Sequence, residues 1–132
     1  MSISNVRASH LQRLVMIAIL LTPLSASAEY LDVIQVKLKE GCTLDKYVAI
    51  KNDFNEQWGK SHGYQAEVAS PVQSTDLASI FWSGRTASAE SFGRAWDVWR
   101  TELSNPKSVA SKLNERFEKC TDNTGRRGYD LL

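Results

Sequence analysis

The chain has 132 residues, of which 16 are basic and 15 acidic, so its formal net charge at pH 7 is only +1. A chain so evenly balanced has no general attraction for nucleic acids or other polyanions, and its length fits one folded domain. With two cysteines and two histidines, it offers few ligands for a multi-residue metal site, and none is predicted.

The first 28 residues have the pattern of a cleavable secretory signal. A basic start precedes an uninterrupted apolar run and then small residues at the cleavage site, in the order Arg7, His10, Arg13, Leu14 to Leu21, and Ser25 to Ala28. The run reaches about half of the roughly 20 apolar residues that a membrane-spanning helix needs. We therefore expect a single mature domain, residues 29–132, exported to the periplasm or the cell exterior and free of the membrane. The alternative is an uncleaved N-terminal anchor.

The only two cysteines, Cys42 and Cys120, both lie in the mature domain. Export favours their oxidation, so a disulfide is predicted. A reactive or metal-binding thiol pair is the alternative, but the chain has neither a CxxC spacing nor a histidine near either cysteine.

The first half of the mature domain predicts one strand and one helix. Tyr30 to Lys39 alternates, with Ile34, Val36 and Leu38 on one side and a mixed second side, which indicates a strand that is partly covered on both faces. Thr43 is a good helix N-cap. The helix that follows is expected to end near Gly59, with the apolar stripe Tyr47, Ile50, Phe54 and Trp58.

Two strands and two helices are predicted next. Tyr64 to Ala69 and Leu77 to Ser83 read as strands of a hairpin with a polar connection between them. Ser88 caps a second helix, whose stripe is Phe92, Ala95, Trp96, Trp99 and Leu103. A third helix is expected from Pro106 to Cys120, with Asn105 as its cap.

The tail predicts a short last strand around Tyr129 to Leu131. The preceding segment, Gly125 to Gly128, favours a flexible tail, and an anion grip is the alternative. The complete order is βαββαβ, which predicts an α+β ferredoxin-like fold with a four-stranded antiparallel sheet and helices on one face. This topology places Cys42 and Cys120 at the same end of the domain, as a disulfide requires.

Residues 30–132 resemble the dimeric α/β-barrel superfamily, which includes antibiotic-biosynthesis-monooxygenase-like domains, in element order, length and the strand segment Ile80 to Gly84. The resemblance implies a homodimer formed through the sheet face and a ligand pocket between sheet and helices. Members range from haem-degrading and quinone-forming oxygenases to proteins without known activity. This chain departs from the haem-degrading members, because its first strand has no asparagine and its lone mature histidine follows the first helix.

The candidate site residues come from this comparison and from residue chemistry. His62 is the candidate catalytic residue, as a general base or axial haem ligand, although a solvated loop histidine is the simpler interpretation. Trp82 on the third strand, with Trp96 and Trp99 on the second helix, could line a flat cavity for an aromatic ligand or serve only as core. Trp58 is a ligand-binding candidate. Asn55 is a further ligand-binding candidate, and Arg85 could orient a carboxylate or simply be exposed.

Two functional hypotheses follow. The chain is either an exported, non-catalytic protein that binds a small apolar or aromatic ligand or a protein partner, or a cofactor-poor monooxygenase or haem-handling enzyme. The absence of any nucleotide-binding, hydrolase or metalloprotease motif favours the first, for which no cofactor is expected.

Overall fold

The computed structural model describes residues 28–132. The predicted export signal lies outside the described residues, apart from its last residue, Ala28. The described chain forms seven main elements in the order β1 (Glu29–Leu38), α1 (Leu44–Gln57), β2 (Gln65–Ala69), β3 (Ile80–Thr86), α2 (Ala89–Glu102), α3 (Val109–Cys120) and β4 (Thr121–Leu131), with a short 3-10 helix at Gly59–His62.

The four strands form one sheet in the order β2-β3-β1-β4, and every neighbouring pair is antiparallel. The helices cover one face, onto which β1 directs the buried side chains of Asp32 and Val36. The predicted ferredoxin-like α+β fold is therefore confirmed. Asp32 has the same strand parity as Ile34 and Val36, so a carboxylate stands in the core-facing row of an otherwise apolar strand.

The predicted bounds of β3 are wrong by three residues at each end. Asp76 accepts hydrogen bonds from the backbone N–H groups of Ala78 and Ser79 and from the Ser79 hydroxyl, the last at 2.6 Å. These bonds hold the connection in a turn, so β3 begins only at Ile80 and continues to Thr86.

The third helix also begins later than predicted. Ser108, not Asn105, is its N-cap, and its hydroxyl accepts from the Ser111 N–H at 3.0 Å. Asn105 instead accepts from the Lys107 N–H, so Pro106 lies in a turn before the helix. The predicted caps of the first two helices, Thr43 and Ser88, are present.

The last strand is much longer than the short one predicted from the tail. It pairs with β1 over its whole length and contains one bulge, where Gly125 lies opposite Gln35 and Asn123 opposite Val36, leaving Thr124 without a partner residue. The Gly125 to Gly128 segment is therefore strand rather than flexible tail. Because the bulge adds one residue, the core-facing row passes from Asn123 to Arg126 instead of to Gly125.

Cys42 and Cys120 form a disulfide with their Cα atoms 5.2 Å apart, which confirms that prediction. The bridge joins the residue before the cap of α1 to the last residue of α3. It therefore ties together the first and third helices at the end of the domain where β4 begins.

The other sheet face, here called the outer sheet face, is covered by none of the helices within residues 28–132. It carries Leu31 and Val33 of β1, Phe81 of β3 and Tyr129 of β4, with Leu31 directly opposite Tyr129. The first three side chains are half-buried within the chain itself and Tyr129 is 45% exposed. No helix among the described residues is long and apolar enough to cross a membrane.

Candidate functional site

A cavity of about 140 Å³ lies between the sheet and the helices. All four tryptophans of the chain line it: Trp58 after α1, Trp82 on β3, and Trp96 and Trp99 on α2. We call it the aromatic cavity. Its tryptophans come from three separate elements, so only the folded chain brings them together.

Phe54 of α1 organises the apolar wall of this cavity. Its ring centroid lies 5.0 Å from that of Trp82, 5.4 Å from that of Trp58 and 5.6 Å from that of Trp99. The Phe54 and Trp82 rings meet edge to face, at an interplanar angle of 79°. Such tilted contacts match the edge of one ring to the face of the next, which gives the wall a defined shape.

The polar end of the cavity is a connected hydrogen-bonded cluster. The Tyr64 hydroxyl donates to Asp32 Oδ2 at 2.8 Å and accepts from Trp82 Nε1–H at 2.9 Å. Arg126 donates from Nε to Asp32 Oδ1 and from Nη2 to Oδ2, both at 2.8 Å. We call Asp32, Tyr64, Trp82 and Arg126 the polar cluster. Of these, Tyr64, Trp82 and Arg126 line the cavity.

Close packing on the sheet positions Tyr64. A Cβ atom at Gly84 of β3 would lie 1.8 Å from the Tyr64 hydroxyl oxygen and 2.0 Å from the ring carbon that carries it. Only a residue without a side chain leaves room for the phenol above this strand. Gly84 therefore permits the hydrogen bond from Tyr64 to Asp32.

Arg126 is held on two sides. Asp32 binds two of its nitrogens in the guanidinium plane, while the guanidinium carbon lies 4.1 Å from the Trp96 ring centroid and 5.5 Å from that of Phe92. A bidentate carboxylate and a stacked indole each restrict the orientation of a guanidinium. The Arg126 side chain remains 35% exposed, whereas that of Asp32 is 2% exposed.

The protonation states of the cluster follow from its surroundings. Burial raises the pKa of Tyr64, and the neighbouring Asp32 carboxylate raises it further, so the phenol keeps its proton at neutral pH. Burial by itself would lower the pKa of the Arg126 guanidinium, but the hydrogen bonds and charge of Asp32 outweigh it and the pKa is raised. Tyr64 is thus a hydrogen-bond donor and Arg126 a cation.

The predicted site residues separate into two groups. Trp58 and Trp82 line the aromatic cavity, whereas His62, Asn55 and Arg85 lie outside its lining. The His62 ring stacks on the Trp58 ring with centroids 4.1 Å apart, and its Nδ1 lies 2.8 Å from the Trp58 carbonyl oxygen. His62 therefore contacts Trp58, which lines the cavity, but does not line the cavity itself.

The other two candidates make structural contacts. The Asn55 amide donates to the Ala66 carbonyl and accepts from the Ala66 N–H, both at 2.8 Å, which joins α1 to β2. Arg85 is exposed on the outer sheet face. It forms an ion pair with Glu29, with Arg85 Nη1 2.5 Å from Glu29 Oε2.

Asp32 and Tyr64 were not among the predicted site residues, and Arg126 was predicted to lie in a flexible tail. The one visible signal was Asp32, a charged residue with the core-facing parity of β1. Nothing in the sequence indicated the bulge that directs Arg126 to the same face.

The solved structures that are similar to this chain include the following two. One is SnoaB, a cofactor-independent oxygenase from Streptomyces nogalater, with a TM-score of 0.53, 8% identity, and coverage of 80% of this chain and 95% of that one. The other, from Chloroflexus aurantiacus J-10-fl, is assigned to the antibiotic biosynthesis monooxygenases, with a TM-score of 0.53, 15% identity, and coverage of 80% and 94%. The chain has their fold. No family model and no curated relative matches the sequence.

Haem, which some proteins of the resembling superfamily bind, does not fit this site. A cavity of about 150 Å³ holds a single benzene ring, and a porphyrin is far larger than one benzene ring. The aromatic cavity measures about 140 Å³. His62, the only histidine of residues 29–132, is stacked outside the lining. Within the part of the chain that the structure describes, no group of three or more His, Cys, Asp or Glu residues could hold a metal ion.

Proposed function

We propose that the mature domain binds a small aromatic molecule in the aromatic cavity. The observation that carries this proposal is the combination of a space lined by every tryptophan of the chain with the polar cluster at one end. Ligand sites are typically apolar concavities with a few convergent polar groups, and this cavity has that character.

The ion pair between the buried Asp32 carboxylate and the partly exposed Arg126 guanidinium supports a role in recognition rather than in stability. Taking the carboxylate out of water costs about as much as its attraction to Arg126 returns, so such a pair adds little to the stability of a fold. The pair of Asp32 and Arg126 is retained beside a cavity, where groups that orient a ligand are commonly found.

We further propose that the protein acts outside the cytoplasm as a homodimer. The pattern of residues 1–28 supports export, and the disulfide between Cys42 and Cys120 fits an oxidising compartment. The outer sheet face supplies apolar side chains, among them Leu31, Val33 and Phe81, that a second copy could cover.

The binding proposal can be tested with the indole N–H signals of the four tryptophans in proton–nitrogen NMR spectra. Titration of the oxidised mature domain with single-ring compounds such as acetophenone should shift most of these signals. Ala95→Leu should abolish the shifts, because Ala95 is 3% exposed and lines the cavity. Ala89→Leu, exposed on the same helix, is the matched control. Unchanged spectra of the wild-type domain would contradict the proposal.

The second candidate is cofactor-independent oxygenation of a hydroxylated aromatic ring. The fold shared with an oxygenase of that kind supports it, as does the presence of a carboxylate and a protonated phenol in the polar cluster. Oxygen uptake with dihydroxybenzenes in metal-free buffer, reduced by Tyr64→Phe, would support this activity. Uptake no faster than in buffer alone would leave binding as the function.

A further inference from the structure

Resting on the proposed function, we infer that the ligand is an uncharged single-ring aromatic carbonyl compound, with Arg126 as donor to its oxygen and Asp32 as the positioning residue. The size of the aromatic cavity first limits the part of the ligand that it can enclose. A cavity of about 150 Å³ holds one benzene ring, and this one measures about 140 Å³.

The polar cluster offers the ligand donors rather than acceptors. Asp32 accepts from Arg126 through both carboxylate oxygens, and Tyr64 donates its proton to Oδ2. Trp82 donates its only side-chain N–H to the Tyr64 oxygen. Among the described residues, Arg126 Nη1 has no hydrogen-bond partner, although Arg126 lines the cavity. Arg126 therefore has N–H groups left for a ligand oxygen that accepts a hydrogen bond.

The charge balance favours a neutral oxygen. Asp32 is 1% exposed and compensates the positive charge of Arg126. The polar lining residues outside the polar cluster, Tyr47, Asn114, Thr121 and Asn123, carry no charge. A ligand carboxylate would therefore bring an uncompensated negative charge into a partly desolvated site beside Asp32, whereas a carbonyl would not.

Asp32 thus has two effects on ligand binding, and both can be distinguished from a contribution to stability alone. It restricts the guanidinium to one plane, with Trp96 stacked on its face, and it cancels the charge that would otherwise attract anions. Loss of the charge alone should change which ligands bind, and not only how tightly they bind.

The experiment compares acetophenone, ethylbenzene and benzoate, which share the ring but differ in the oxygen and the charge. Dissociation constants are measured by calorimetry on the full mature domain. In the wild type, acetophenone should bind about 10- to 100-fold tighter than ethylbenzene, as expected for one hydrogen bond to a charged donor, and tighter than benzoate. Arg126→Gln, which keeps only a neutral donor on a shorter side chain, should lower the acetophenone-to-ethylbenzene ratio to about a few-fold at most.

Asp32→Asn should make benzoate bind at least about tenfold tighter relative to acetophenone, because Arg126 is then no longer neutralised. The exposed ion pair of Arg100 and Asp97, with Nη2 and Oδ1 2.6 Å apart, provides matched controls. Neither Arg100→Gln nor Asp97→Asn should change any ratio of dissociation constants. If Asp32→Asn does not fold, as judged by circular dichroism, the Arg126→Gln ratio decides the inference.

The outcomes separate this inference from the proposed function. Equal binding of all three compounds to the wild type, with ratios unchanged in both polar-cluster variants, would refute the ligand class and leave aromatic binding intact. A wild-type preference for benzoate would also refute it. Failure of every compound to bind would refute the proposed function itself.

Discussion

Gly84→Ala should be one of the most damaging single substitutions in this domain. Its added methyl group would lie 1.8 Å from the Tyr64 oxygen, so the phenol ring must move. Movement breaks the hydrogen bond that Tyr64 donates to Asp32 and the one it accepts from Trp82. The backbone at Gly84 does not have a positive φ, so alanine is excluded by contact and not by conformation.

The expected loss can be worked out from these contacts. A hydrogen bond to a buried charge contributes about 1.5 to 3 kcal/mol and a neutral one about 1 kcal/mol. Overpacking of a filled site adds about 1 to 3 kcal/mol. Since the clash and the lost bonds are partly the same event, we expect a total decrease of about 3 to 5 kcal/mol in the free energy of unfolding.

The assay is urea unfolding of the oxidised domain at one fixed protein concentration. Gly93→Ala is the matched control, because Gly93 lies within α2 with nothing within 4 Å of an added Cβ atom. It should stabilise the protein by about 0.5 to 1 kcal/mol. In a Tyr64→Ala background, Gly84→Ala should be nearly neutral. A loss below about 1 kcal/mol, or an equal loss in both backgrounds, would refute the reasoning.

Three further predictions concern the disulfide, the outer sheet face and alkaline pH. Replacing Cys42 and Cys120 together by alanine should lower the free energy of unfolding by about 4 to 5 kcal/mol, since the bridge closes a separation of 78 residues; a urea series showing less than about 1 kcal/mol would contradict this. Phe81→Glu should convert the proposed dimer to monomer in analytical ultracentrifugation, whereas Gln73→Glu in the exposed connection should not; a monomeric wild type would count against the dimer. Burial raises the pKa of Tyr47, so above about pH 10 only the unfolded state loses this proton and stability falls as pH rises. Tyr47→Phe should flatten that fall by about 1.4 kcal/mol per pH unit, and an unchanged slope would show that Tyr47 is not its source.

The fold could be predicted from local patterns because each element has its own signal. The period-2 run of β1, the caps Thr43 and Ser88 and the apolar stripes of the helices act within a few residues. The errors in the bounds of β3 and α3 arose where side chains compete with the backbone. Asp76 holds the start of the predicted third strand in a turn, and Ser108 replaces Asn105 as a cap.

The candidate site could be predicted only in its aromatic part. Trp58 and Trp82 were identifiable because large aromatic residues on core-facing stripes are few and conspicuous. The polar cluster was not, since its members are up to 94 residues apart in the chain. Arg126 of β4 reaches Asp32 of β1 only because these two strands pair in the sheet.

The sequence by itself determined the order of the elements and the composition of the apolar core, because propensity, capping and hydrophobic periodicity are local properties. It also determined which cysteines pair, because the chain has only two. The tertiary structure decided which residues share the cavity. A bulge at Thr124, visible only once β4 pairs with β1, changes the alternation of the strand and directs Arg126 inward. Gly84 makes room there for Tyr64, so the site depends on strand register and close packing, neither of which is encoded within a single segment.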